Sequence, residues 1–285
     1  MIAHVVTAII LSQYVRSRVD DKDPNSQCLW WIENTTIEFH QNGDGNPENA
    51  GDTEFTAFSK SLATWQTQLA SCSSLSLTEG ARTTTRKVGY FENETNENIT
   101  VFRLKRCSEV APATDGCHSP DKDNCGNAYD CWQHQDAAIA ITTTSYNPKT
   151  GRILDSDIEF NTPSFIFTTV DSPVCPATQP SQSCVVTDIQ NTSTHELGHV
   201  LGLAHSANAS STMYARANPG ELTKRVLDAD SKSFVCQVYP KGGATKTCFI
   251  TPASSTLGTA VGCSQAPVLL AGLAVLALRR RRLKA

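Results

Sequence analysis

The run His195-Glu196-Leu197-Gly198-His199 sets two imidazoles four residues apart, with a carboxylate beside the first. On an α-helix, residues i and i+4 share a face, so His195 and His199 can approach one metal ion from the same side. Glu196 is then within reach of a water on that ion. The chain continues Val200-Leu201-Gly202-Leu203-Ala204-His205. For His205 to fold back to the same ion the helix must stop sharply, and Gly202 can take the positive φ that such a stop needs. Three neutral imidazoles with one open position make the ligand set of a catalytic Zn2+ site. Zinc lowers the pKa of its water to about 7. Glu196 accepts the proton, the hydroxide attacks a polarised carbonyl such as that of a peptide bond, and Glu196 passes the proton to the leaving amine.

Five residues fixed at these positions arise by chance on the order of once in 10⁵ chains, so the spacing reports a site. A structural zinc site fits less well, because it takes a fourth protein ligand and has no use for Glu196. Two rivals stay open beside a general endopeptidase. One is a catalytically silent, zinc-containing surface binding or adhesion protein. The other is a processing enzyme restricted to one partner.

The elements that must position these residues follow from periodicity. Ile37 and Phe39 share one face of a strand at residues 36–39, and the loop Asn42-Gly43-Asp44-Gly45-Asn46-Pro47 follows. Its oxygens leave Ca2+ open as a second cofactor, although the spacing of a complete calcium loop is missing and a plain turn fits better. Phe55, Phe58, Leu62, Trp65 and Leu69 recur at helical spacing, so residues 53–70 read as an amphipathic helix whose stripe is core. Residues 86–91, 99–104, 137–144 and 152–161 read as strands. On the last, Ile158 and Phe160 share a face opposite Asp157 and Glu159. The stretch 107–135 holds four cysteines and reads as a cross-linked surface loop, with His118 and His134 as exposed loop residues. From Val185 the chain turns helical, with Asp188 as cap, and this helix carries the motif.

With 285 residues, 39% hydrophobic and 18% charged, the chain can bury a sizeable core in one or two domains. The net charge of −4 points to no nucleic-acid partner. Five basic residues crowd the last seven positions; without them 19 basic residues face 28 acidic ones, a net of −9, so an acidic body carries a basic tail. Eleven cysteines, none in a Cys-x-x-Cys pair, fit an exported, oxidised protein better than a reducing cytosol. Cys263 stands apart beside an apolar tail. The other ten can form five disulfides or remain as reduced structural cysteines, and Cys175 with Cys184 is the pairing expected first.

Residues 2–11 form a short apolar run, read either as a weak signal peptide or as a plain N-terminal strand or helix. Near the other end a Ser/Thr-rich stretch leads to Gly262-Cys263-Ser264. Residues 267–278 then contain no polar side chain, and four arginines follow at once. One reading is a membrane anchor of marginal length. The other is a sorting tail that pauses in the membrane, its arginines on the cytoplasmic side, until a processing enzyme cuts near Cys263.

From His195 to His205 the chain resembles the metzincin metallopeptidases, whose extended zinc motif this is. Ser211-Thr212-Met213-Tyr214 fits that family's methionine turn, with Met213 as a floor under the imidazoles and not a ligand. Ser206 directly after the third histidine and Tyr214 directly after Met213 look like the matrixin branch. Residues 221–240 resemble its C-terminal helix. The resemblance covers residues 28–241 and is most specific over 188–214. It implies an α+β, zincin-type catalytic domain: a twisted mixed β-sheet, a backing helix, the zinc-binding helix, the methionine turn and a C-terminal helix. It also implies that residues 137–145 are the sheet's edge strand beside the cleft, where a protein or peptide substrate pairs as an added strand. Neither an inhibitory propeptide with its zinc-blocking cysteine nor the family's structural zinc and calcium loops are legible, and the 107–135 insertion has no counterpart. The Gly262-Cys263, apolar and arginine segments resemble the C-terminal sorting tail of myxobacterial surface proteins. That implies Cys263 as the processing and lipid-attachment point, on a bacterial surface or secreted protein.

The expected organisation is therefore residues 1–27 as weak signal or N-terminal extension and 28–241 as catalytic domain. Residues 242–262 are a linker and 263–285 a sorting or membrane tail. The expected function is zinc-dependent hydrolysis of internal peptide bonds in extracellular or surface proteins.

Overall fold

A computed structural model describes residues 14–119, 124–248 and 277–282. In chain order the elements are β1 (Thr36–Gln41), α1 (Thr53–Cys72), β2 (Ser76–Glu79) and β3 (Asn98–Arg103). Short helices α2 (Cys107–Val110) and α3 (Cys125–Tyr129) lie in the cysteine-rich stretch. Then come β4 (Ala140–Tyr146), β5 (Ile153–Asn161), β6 (Phe167–Thr168) and β7 (Thr187–Asp188). Last are α4 (Ile189–Val200), α5 (Ala229–Val238) and β8 (Ala277–Arg282).

Six strands form one mixed sheet in the order β2-β1-β3-β5-β4-β8. β1 runs parallel to β2 and β3, β3 runs parallel to β5, and β4 runs antiparallel to β5. The class is α+β, as expected. The apolar stripe of α1 packs with Ile37 and Phe39 of β1 and with Leu197 and Val200 of α4 in one core. Two polar bonds fix how α1 backs α4. The Trp65 indole donates to Thr194 O at 2.8 Å, and Ser61 Oγ donates to Gln190 O at 3.0 Å. Deleting a buried ring such as that of Trp65 costs ~3–5 kcal/mol in comparable cores.

Three expectations change. Residues 86–91 form no strand, because side chains take their N–H groups: Val88 donates to Asn127 Oδ1 (2.8 Å), Gly89 to Asp157 Oδ2 (2.6 Å) and Tyr90 to Ser145 Oγ (3.1 Å). β4 is not the edge of the sheet. β8 pairs parallel to it, from Ile141 opposite Ala277 to Tyr146 opposite Arg282. An open strand edge offers unpaired N–H and C=O groups to any extended segment within reach, and here the chain's own arginine run takes them. Among the described residues no helix is long and apolar enough to cross a membrane; Cys263, residues 267–276 and residues 2–11 lie outside the described residues.

The third change concerns His134, which is no exposed loop residue. Its side chain is 6% exposed and its Nε2 lies 3.1 Å from Glu159 Oε2. The acidic face of β5 is buried too, with Asp155, Asp157 and Glu159 all covered. Fully buried Arg103 donates from Nε to Glu159 Oε1 at 2.8 Å and from Nη1 to Asp130 Oδ1 at 2.7 Å. Burial alone would raise the Glu159 pKa, but Arg103 and His134 outweigh it and hold it at about 2. His118 is exposed, as expected.

In the turn after β1, Arg86 Nη1 donates to Asn42 Oδ1 and Asp44 Oδ2, both at 2.8 Å. Both oxygens are thereby engaged by a guanidinium. The ten cysteines other than Cys263 pair as Cys28–Cys248, Cys72–Cys236, Cys107–Cys131, Cys117–Cys125 and Cys175–Cys184. Residues 14–27, read from sequence as an extension, pack onto the body, with Ser17 fully buried.

Candidate metal centre

Asp188 starts the motif helix. Its Oδ1 accepts the Asn191 N–H at 2.6 Å, the bond of an N-cap. Arg225 grips the same carboxylate with two donors, Nε to Oδ1 at 2.8 Å and Nη2 to Oδ2 at 2.5 Å. Such a planar, two-point contact fixes direction as well as charge. α4 ends at Val200, and Gly202 follows at φ +100°. A Cβ there would also stand 2.9 Å from Leu29 O, so conformation and space both call for glycine. The chain reverses at this point and returns with His205.

His199 Nε2 lies 3.2 Å from His195 Nε2 and 3.1 Å from His205 Nε2. Two nitrogens bound to one tetrahedral zinc at their usual distance stand about 3.3 Å apart, so the triad has the spacing the ion requires. His195 Nδ1 is 2.7 Å from Thr212 O and His199 Nδ1 is 2.8 Å from Leu203 O. A carbonyl only accepts, so each Nδ1 carries the proton and each Nε2 presents a lone pair. Lone pairs converging at this distance repel one another unless a cation lies among them. Burial, then the neighbouring imidazoles, hold His195 well below the ordinary histidine range; burial takes His205 to about 4 against the pull of Asp21. His195 and His205 are thus neutral at neutral pH, the form that binds metal. Among the described residues this is the one cluster of His, Cys, Asp or Glu side chains that could hold a metal ion, and nothing comparable supports Ca2+.

Met213 is 2% exposed and packs against Gly198 in the middle of the motif. Its carbonyl accepts the Ser206 N–H at 2.8 Å, and Ser206 pairs with Tyr214 across the turn. Ser206 Oγ accepts the Asn208 N–H at 3.1 Å. The methionine turn is therefore laced to the residue that follows the third histidine. Thr212, which supplies the carbonyl for His195, is itself fixed by N–H to Asp228 Oδ1 (3.2 Å) and Oγ1 to Val226 O (3.1 Å).

Glu196 is fully buried, and burial lifts its pKa to about 8 against the hydrogen bonds from Thr142. Its Oε2 accepts from Thr142 Oγ1 at 2.6 Å, and its Oε1 has no hydrogen-bond partner among the described residues. Sequence reasoning missed Thr142. The available signal was a polar residue on the inner face of a strand, between Ala140 and Thr144 and opposite Ile158. It also missed the Thr212 and Leu203 carbonyls, which no side-chain pattern can mark.

Fold and site together define a zinc metallopeptidase with a metzincin-like architecture. Residues 121–240 match the family model of the matrixins, a span that includes β4, β5, the histidine motif, the methionine turn and α5. No curated protein matches the chain.

Proposed function

We propose that this protein is a zinc-dependent endopeptidase that cuts internal peptide bonds of proteins outside the cell or at its surface. His195, His199 and His205 would hold the ion, and Glu196 would act as general base. One observation carries the reading: His195 Nε2 and His205 Nε2 both lie within 3.2 Å of His199 Nε2, and Glu196, next to His195, is a buried carboxyl with one oxygen free of hydrogen bonds among the described residues. Zinc held there would supply a Lewis acid that polarises a carbonyl and makes a bound water more acidic.

The chain's own residues supply the rest. The Thr212 and Leu203 carbonyls orient the rings, and Met213 supports them from the side of Gly198. Glu196 Oε1 would receive the proton of the attacking water and return it to the leaving amine, the work of a general base. A cavity of about 300 Å3 beside α4, lined by Ile139, Phe165, Val186, Thr192 and Pro219, has the size and apolar walls to take a substrate side chain. Five disulfides support export. A sorting tail at residues 263–285, processed near Cys263 and passing through the membrane first, is proposed on the sequence alone.

The test is zinc content and casein hydrolysis by the full chain, wild type beside Glu196→Ala. Zinc in both with cleavage by the wild type alone is expected. Zinc in both with cleavage by neither, on casein and on a broad peptide library, would sink the peptidase in favour of a silent zinc-binding surface protein.

A further inference from the structure

We infer that Thr142 is a positioning residue for Glu196, selecting which carboxylate oxygen faces the reacting water; this rests on the reading of Glu196 as general base. Thr142 Oγ1 lies 2.6 Å from Glu196 Oε2 and 3.2 Å from Glu196 O. A hydroxyl has a single proton to give, and the shorter contact, to an oxygen that can carry charge, is the stronger claim on it. Both side chains are fully buried, so bulk water does not compete for either. The two oxygens of Glu196 therefore have different tasks. Oε2 is anchored, and Oε1 is left buried and unpaired for the proton.

The anchor is stiff where the glutamate is not. A glutamate side chain turns about three torsions, whereas threonine is β-branched and restricted at χ1. Thr142 sits in the middle of β4, paired across the ladder with Ile158 of β5. Its neighbours on the same face cannot replace it. Ala140 has no hydroxyl, and Thr144 Oγ1 is 3.0 Å from Ser156 Oγ. A general base is worth roughly 10²–10⁴ in rate, and part of that depends on holding its oxygen in the productive arc.

A hydroxyl that merely satisfied a buried carboxyl would act on stability and metal content. A positioning residue acts on kcat. The experiment uses the full-length, zinc-loaded protein as wild type, Thr142→Val, Thr142→Ser, Glu196→Ala and the Glu196→Ala/Thr142→Val double variant. Zinc content, Tm, and kcat and KM on a quenched fluorescent peptide are measured for each. Thr142→Val is expected to lower kcat by roughly 10- to 100-fold, with KM and zinc content unchanged. Thr142→Ser is expected to recover most of the loss, and the double variant to be no slower than Glu196→Ala alone. Wild-type kcat in Thr142→Val, no recovery in Thr142→Ser, or an added loss in the double variant would each overturn the assignment.

Crystal structures of zinc-loaded wild type and Thr142→Val give a readout free of turnover. Glu196 is expected in one orientation in the first and in another, or in several, in the second. The same orientation in both overturns the role of Thr142, whether or not the protein cleaves. A wild type that cuts nothing defeats the peptidase reading and leaves this comparison intact.

Discussion

The sulfur of Met213 fills the space in which a side chain at position 198 would stand: a Cβ on Gly198 would lie 2.2 Å from Met213 Sδ and 3.2 Å from the Trp65 ring. Gly198→Ala must therefore push the methionine away from the motif helix. Overpacking of this kind costs ~1–3 kcal/mol, while Met213→Leu, nearly equal in volume, should cost less than about 1.5 kcal/mol. Thermal unfolding of both variants ranks the two effects. Gly198→Ala with a wild-type Tm would mean that the floor of the site yields freely.

On the proposed reading zinc binds the folded chain through His195, His199 and His205, and it should then raise stability by mass action. The gain is ~4 kcal/mol when free metal exceeds its dissociation constant about a thousandfold. Adding a chelator should lower the Tm of the wild type and leave that of His199→Ala unmoved, because His199 Nε2 stands between the other two imidazoles. Equal chelator shifts in both proteins would place the stabilising metal elsewhere.

Glu159 gives a pH dependence with a defined sign. Its folded pKa of about 2 lies below the ordinary 4.5, so its stabilisation is complete above about 4.5 and is lost as pH falls toward 2. A shift of that size corresponds to about 3 kcal/mol. Glu159→Gln leaves the Arg103 guanidinium buried without its main partner and should cost ~3–5 kcal/mol at pH 7. The gap from wild type should close as pH drops through that window. Urea unfolding at pH 7, 4 and 2.5 measures it, and a gap that does not vary with pH contradicts the pairing.

At the start of α4, Asp188→Asn keeps an oxygen for the Asn191 N–H and loses the charge that holds Arg225. Asp188→Ala loses both. The difference between the two variants isolates the cap, ~1 kcal/mol, and urea midpoints at matched slope report it. Identical midpoints would show that the ion pair alone secures the helix start.

The motif helix was the most legible part of the chain, because its chemistry lies in residue types at fixed spacing and one face of α4 carries it. Asp188 as cap, Gly202 as stop and Cys175 with Cys184 as a pair were legible for the same local reason. What failed depended on partners distant in sequence. Residues 86–91 alternate like a strand, yet Asn127, Asp157 and Ser145 take their donors. His134 looked exposed because nothing near it in sequence announces Glu159. Thr142 looked like an ordinary strand threonine until the fold set it against Glu196.

The turn that presents His205 is held from the far end of the chain. Ser17 Oγ donates to Leu203 O at 2.9 Å, the carbonyl that also receives His199 Nδ1–H, and the Ala204 N–H reaches Val15 O at 2.8 Å. Arg16 between them donates to Leu29 O and to Lys246 O, next to the Cys28–Cys248 bond. The last wall of the pocket is thus built from contacts spanning 186 residues, beside a cross-link spanning 220. Closing a loop of that length costs the unfolded chain about 5 kcal/mol of entropy, which the cross-link removes. A shortened chain that begins after residue 19 would lack these contacts to Leu203 and Ala204.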